Sequence, residues 1–310
     1  MLRYLAPVVT TVLFALTALT GCGSDSGNSG SAGPQGTGGE GGAGGSGAGA
    51  AGAGSGKTPT LPAAPASCPE FHTGMTTINS SGVDRSIQIY IDDAAASAKD
   101  GPIVFYFYGT AGSPPESLRA LTDAGVKQLT DAGGVLIAPV HNNMGIFPWI
   151  NDPDVNTDYK LMDDVIGCAQ AKVGIDPRHI HVLGFSAGAL FAADASFARS
   201  TYLASVATFS GGGTGMFADP SNLFPAMILY GGANDMLVLD FQTASKQYFD
   251  QLTMAGHFAF ECNHGGGHSL PPLAGASVVQ FFFDHPYGTD PSPYKNGLPS
   301  TFPSYCTLTP

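Results

Sequence analysis

The five residues Gly184-Phe185-Ser186-Ala187-Gly188 constrain this chain more than any other stretch. They follow a β-branched and apolar run, His179 to Leu183, and precede an Ala-rich run from Ala189 to Ala198 that reads as a helix. Strand, sharp turn and helix in that order put a serine at the turn. So tight a turn holds Ser186 in a strained backbone conformation. It also brings strand and helix so close that side chains at 184 or 188 would clash. The strain lifts the hydroxyl clear of the sheet. The helix N-terminus then offers free N–H groups and a positive dipole to negative charge developing there. Ser186 is the candidate nucleophile, and the Ala187 N–H is the first candidate oxyanion donor.

The surrounding pattern alternates strands with helices. Arg85 to Ile91 alternates with period two, a strand with one buried face. Ile103 to Tyr108 and Gly134 to Val140 are continuous apolar runs, as strands buried on both faces require. Ser117 to Ala132 and Tyr159 to Lys172 carry apolar residues at helical spacing, and His141 to Thr157 reads as a long loop holding the only tryptophan, Trp149. Beyond the serine turn come strands at Ala204 to Phe209, Ala226 to Tyr230 and His257 to Glu261. Helices are predicted at Phe241 to Ala255 and Leu273 to Phe283. This order predicts an α/β fold with a mostly parallel central sheet and helices on both faces.

A serine becomes a nucleophile only when a base takes its proton, and the base needs an acid to orient it. In a sheet of this kind the acid and base follow late strands, in the chain order Ser, acid, His. Met227 to Tyr230 is a late strand, and Asp235 lies in the loop that follows it. Asp240 is the alternative acid, but its position before the next helix suits a cap. The last strand runs into Cys262-Asn263-His264-Gly265-Gly266-Gly267-His268. His268 is the candidate base, because three glycines can bend the loop back over the sheet edge; His264, nearer the strand, is the alternative. Cys262, His264 and His268 match no zinc spacing, so neither a metal nor any other cofactor is expected. The second oxyanion donor should come from Gly109-Thr110-Ala111-Gly112, after the strand ending at Tyr108, with Thr110 as the donor.

The amino terminus divides the chain into three parts. Met1 to Thr20 carries one cation, Arg3, before an apolar run from Leu5 to Leu19, a signal peptide too short for a stable membrane span. Seventeen of the 43 glycines fall between Gly21 and Gly56, and only Asp25, Glu40 and Lys57 are charged between Gly23 and Ala66. Such a segment cannot bury enough apolar surface to offset its chain entropy. The predicted layout is signal peptide 1–21, flexible tether 22–66 and catalytic domain 67–310. Ala51 to Thr58 imitates a phosphate loop, but low-complexity sequence precedes it and Pro59 and Pro62 follow, which excludes a nucleotide site. A net charge of −12 argues against nucleic acid as a partner.

Five cysteines suit an oxidising compartment. With Cys22 set aside, Cys68, Cys168, Cys262 and Cys306 allow three pairings. A bond from Cys306, beyond the Pro-rich tail, to Cys262 would fix both the tail and the base of the His268 loop. Elimination then pairs Cys68 with Cys168, although Cys168 on an apolar helix face would also suit a free buried thiol.

Two resemblances bear on function. Leu19-Thr20-Gly21-Cys22 resembles the lipobox of bacterial lipoproteins, which implies cleavage before Cys22, diacylation of its sulfur and an extracytoplasmic membrane anchor, in the outer membrane of a diderm. From about Cys68 to Leu270 the chain resembles secreted α/β-hydrolase esterases of the polyhydroxybutyrate depolymerase and feruloyl esterase group. The likeness rests on Gly74-Met75-Thr76-Thr77, Tyr108 to Gly112, Asp163-Asp164, Ile175 to Ile180, Gly184 to Gly188, Ser210-Gly211-Gly212 and Gly266-Gly267-His268. Members often have His-Gly before the oxyanion loop, where this chain has Tyr108-Gly109. The resemblance implies the α/β-hydrolase fold and hydrolysis of carboxylic esters, of polyester, feruloyl or acetyl type, through an acyl-enzyme. A non-catalytic binding module on the same scaffold and a serine peptidase are the competing readings.

Overall fold

The computed structural model describes residues 57–98, 100–149 and 157–308. The proposed signal peptide, Cys22 and most of the proposed tether lie outside the described residues. The first two strands form a hairpin, β1 (Gly74–Ser80) and β2 (Val83–Ile91), joined by Ser81 and Gly82 alone. Both turn residues have positive φ, 51° and 82°, the conformation that matches a two-residue turn to the twist of its strands. After the short helix α1 (Asp93–Ala98) come β3 (Ile103–Phe107), α2 (Glu116–Asp131) and β4 (Val135–Pro139). Helix α3 (Asp158–Lys172) leads to β5 (Ile180–Phe185) and α4 (Ala187–Ala198). Then follow β6 (Ser205–Phe209), β7 (Ala226–Tyr230), α5 (Phe241–Met254), β8 (Ala259–Asn263), α6 (Gly275–Asp284) and a two-residue strand, β9 (Cys306–Thr307).

Among the described residues these strands make one sheet in the order β1-β2-β4-β3-β5-β6-β7-β8-β9. The pairs from β4 through β8 are parallel, and both edges are antiparallel. Strands β3, β4, β6 and β7 are buried at every position, which is why β3, β4 and β7 read as apolar runs, while β6 also buries Ser205 and Thr208. The path moves one way from β3 to β4 and the other way from β5 onward. Right-handed crossovers then put α2 on one face and α4 and α5 on the other. Helix α6 packs on α2, where Gly275 comes so close that a Cβ there would lie 2.1 Å from Leu121 O. The reversal between β3 and β5 makes a crevice at their carboxyl ends, where α/β sheets bind ligands.

The strand predicted at His257 to Glu261 lies two residues later. His257 turns inward instead, its Nδ1 2.9 Å from Phe224 O and its ring stacked on Phe217. The chain also touches the domain earlier than residue 67. Thr60 N–H donates to Thr201 O at 3.1 Å, and the backbone at Ala64 crosses Gly167, where a Cβ would come within 2.6 Å. Cys68 is bonded to Cys168 and Cys262 to Cys306, the latter as facing residues of β8 and β9. Among the described residues no helix is long and apolar enough to cross a membrane.

Candidate active site

The turn between β5 and α4 has the strain its glycines suggest. Ser186 has φ 56° and ψ −122°, and its N–H donates to Phe209 O of β6 at 2.9 Å. A Cβ on Gly184 would lie 2.1 Å from Gly188 O, and one on Gly188 would lie 2.0 Å from Phe107 O. Neither position can carry a side chain without moving backbone, so strand, turn and helix stay locked around the serine. As the residue before α4, Ser186 leaves Ala187 in the first helical turn, where N–H groups have no intrahelical acceptor.

Asp235 follows β7 and a single turn, Gly232–Asn234. Its Oδ1 lies 2.7 Å from His268 Nδ1, and its Oδ2 accepts the Gly231 N–H at 2.8 Å. Burial works against ionisation of Asp235, but hydrogen bonds from His268 and from the Gly231 N–H outweigh it and hold the carboxyl below its ordinary value. An ionised carboxylate only accepts, so His268 Nδ1 donates to it and Nε2 is turned to the serine. That nitrogen lies 2.8 Å from Ser186 Oγ. The imidazole is clamped between Phe185, at 5.0 Å between ring centres, and Phe241, at 4.3 Å. The site is largely closed: the side chains of His268 and Asp235 are 8% and 0% exposed, and Ser186 is 8% exposed.

The two alternatives serve local structure. Asp240 caps α5, accepting the Thr243 N–H at 2.9 Å and the Thr243 hydroxyl at 2.8 Å. His264 braces its own loop, with Nδ1 accepting the Gly266 N–H at 3.2 Å, and burial lowers its pKa. His285 is also structural, with Nδ1 2.8 Å from Phe281 O and Nε2 2.8 Å from Ser292 Oγ.

The loop after β3 lies against the serine: a Cβ on Gly109 would stand 3.2 Å from Ser186 Cβ. Sequence reasoning missed how this loop is held. Glu116, a buried carboxylate at the start of α2, accepts the Gly109 N–H at 3.1 Å and the Tyr106 hydroxyl at 2.9 Å through one oxygen. Trp149 Nε1 donates to Tyr108 O at 2.8 Å, and Tyr108 Oη accepts the His141 N–H at 3.1 Å. Thr110 Oγ1 donates to Ile146 O at 2.5 Å. Tyr108 thus has its own anchors at the position where relatives in the resembled group often have His. A Glu four residues after the glycine loop, at the head of a predicted helix, is the signal available in the sequence.

No protein-family model matches the chain. It is similar to a protein named "Putative esterase NocK" from Nocardia uniformis subsp. tsuyamanensis, 26% identical over 172 residues, which are 52% of this chain and 48% of the relative. The chain therefore spans about half the length of the curated relative it matches. Among solved structures, native pOPH superposes with a TM-score of 0.59 at 20% identity, covering 78% of this chain and 96% of that one. A ferulic acid esterase superposes at 0.53 and 13% identity, covering 69% and 98%. With the parallel sheet, the reversal of strand order between β3 and β5 and the strained serine turn, these likenesses identify the chain as an α/β-hydrolase fold.

Proposed function

We propose that the protein is a serine hydrolase of carboxylic esters that works through an acyl-enzyme. The observation that carries this reading is the hydrogen-bonded line Asp235–His268–Ser186, at 2.7 and 2.8 Å, at the carboxyl ends of β7, β8 and β5. Ser186 Oγ attacks the ester carbonyl while His268 Nε2 takes its proton. The imidazolium so formed is stabilised by the Asp235 carboxylate. The carbonyl oxygen gains negative charge, which the Ala187 N–H and the Thr110 N–H receive. Collapse of the tetrahedral adduct breaks the bond to the alcohol oxygen, and His268 returns the proton to that leaving group. Water, deprotonated by His268, then attacks the acyl-serine and releases the acid. A non-catalytic binding module would have no use for a strained serine facing a buried base and acid. The name of the Nocardia relative points to the same chemistry.

We also propose that the protein is exported and lipid-anchored through Cys22. The Leu19-Thr20-Gly21-Cys22 sequence supports this, and the two cystines suit an oxidising compartment. The function is tested by hydrolysis of p-nitrophenyl butyrate by the wild type and by Ser186→Ala. Turnover should occur in the first and vanish in the second, with the circular dichroism of both the same. Equal turnover in the two would refute the serine mechanism.

A further inference from the structure

The peptide unit that leads into the loop after β3 is held by side chains at both ends. The carbonyl of Tyr108 accepts the Trp149 indole N–H at 2.8 Å. The Gly109 N–H, in the same peptide plane, is given to Glu116 Oε1 at 3.1 Å. A trans peptide points its carbonyl and its N–H in opposite directions, so the two bonds grip the plane from both sides. The next residue makes that grip matter. Glycine crosses between backbone conformations with little hindrance, and Gly109 is the pivot about which the rest of the loop turns.

The grip sets the direction of the following peptide unit. Gly109 O accepts the Gly112 N–H at 2.8 Å, which closes a tight turn across Thr110 and Ala111. With that carbonyl engaged inside the turn, the Thr110 N–H points the other way. Among the described residues the Thr110 N–H has no acceptor, while the Thr110 hydroxyl is committed to Ile146 O. An N–H held without an acceptor beside the nucleophile is the donor a developing oxyanion uses.

The surroundings of Glu116 fit this use. Its side chain is 8% exposed, and burying a carboxylate is costly unless its oxygens are satisfied. The oxygen that takes the Gly109 N–H also takes the Tyr106 hydroxyl at 2.9 Å, from a strand buried at every position. The other oxygen crowds Gly112, where a Cβ would stand 2.8 Å away, and lies 3.6 Å from Arg119. Arg119 is 72% exposed, and an ion pair so open to solvent contributes too little to account for the burial.

We propose that Glu116 is a positioning residue for the oxyanion. By tying the Gly109 N–H to Tyr106 of β3, it aims the Thr110 N–H at the carbonyl oxygen of the ester that Ser186 attacks. The proposal deepens the esterase reading and rests on it. Glu116 acts here as a hydrogen-bond acceptor and not through its charge, since a negative charge near a developing oxyanion opposes it.

The test compares the full-length wild type with Glu116→Gln, Glu116→Asp and Tyr106→Phe/Glu116→Met. Turnover of p-nitrophenyl butyrate is measured beside inhibition by 1,1,1-trifluorohexan-2-one. Ser186 Oγ adds to the ketone carbon, the carbonyl π bond opens to an alkoxide, and the serine proton passes to His268, so the adduct carries an oxyanion. The double variant removes the acceptor together with one of its two donors, which keeps the core filled. Its kcat should fall about 100-fold with KM within about threefold, the split of an interaction made only in the transition state. Its Ki for the ketone should rise by a similar factor. Glu116→Asp withdraws the oxygen by one methylene and should lose about tenfold in kcat in the same pattern; it carries the test if the double variant does not fold. Glu116→Gln keeps an oxygen for both donors and should rescue kcat to within about threefold of the wild type. Wild-type kcat and ketone affinity in the double variant, or in Glu116→Asp, overturn the proposal. So does a loss carried by KM alone, or a Glu116→Gln as impaired as the double variant. If the wild type hydrolyses the ester and one of these results appears, only this proposal fails. If the wild type turns over no ester, the esterase reading fails and this proposal with it.

Discussion

Gly231 and Gly267 meet backbone to backbone. The Gly267 N–H donates to Gly231 O at 2.9 Å, and a Cβ on Gly231 would lie 1.9 Å from Gly267 O. This contact ties the loop that carries the proposed acid to the loop that carries the proposed base. Gly231 also gives its own N–H to Asp235 at 2.8 Å. Acid and base are thus set in register by main chain, one residue before His268 and four before Asp235.

Gly231→Ala should therefore separate the two loops by about an ångström. A displacement of that size costs on the order of 100-fold in kcat. Steady-state kinetics with a p-nitrophenyl ester, beside a thermal melt, checks this. A folded variant with wild-type kcat would show that the contact does not position the site.

His268→Ala should lose on the order of 10⁴-fold in kcat, because the nucleophile loses its base and the leaving group its acid. His264→Ala should lose less than about tenfold, since the hydrogen bond of that ring is to Gly266 in its own loop. The reverse ranking would transfer the base to His264.

Burial lowers the pKa of His285 to about 4, outweighing its hydrogen bond to Phe281. Its folded-state value lies below the unfolded one, so between about pH 6.5 and 4 the unfolded chain binds the extra proton. The neutral buried form stabilises fully above pH 6.5, and that stability drains away as pH falls toward 4. The loss is on the order of 3 kcal/mol. Urea midpoints measured from pH 7.5 to 4 should fall through this window. His285→Phe should flatten that part of the curve, and an unchanged slope would contradict the assignment.

Much of this architecture is legible in the sequence, because most strands buried on both faces are apolar runs and the serine turn has little freedom. Asp235 and His268, proposed as acid and base from their places after late strands, lie in one hydrogen-bonded line with Ser186. Strand β1 was not read as a strand, although the two-residue Ser81-Gly82 turn was a usable signal. Its sequence, Gly-Met-Thr-Thr-Ile-Asn-Ser with Met75 exposed, carries little apolar contrast between its faces. Strand β9 has two residues and exists because Cys306 faces Cys262. The roles of Glu116 and Trp149 depend on contacts between elements distant in sequence, which local pattern does not encode. Residues 60–64 read as tether by composition, yet the bare backbone of Gly167 gives them a place to pack.

Cys22→Ser should move the protein from the membrane to the soluble fraction of the cells that make it. A lone acyl chain binds only marginally, so stable attachment depends on the full lipid group at that sulfur. Sedimentation followed by immunoblotting checks this. A variant that still pellets with membranes would refute anchoring at Cys22.

The central claim is that Ser186 forms a covalent bond to the acyl carbon. Its most direct test is labelling with an aryl phosphonofluoridate, which phosphonylates an activated serine and expels fluoride, followed by peptide mass spectrometry. The account predicts one label, on the peptide containing Ser186, with the loss of hydrolysis matching the labelled fraction and no label in His268→Ala. Full inactivation with the label on another residue, or undiminished hydrolysis after Ser186 is labelled, would contradict it.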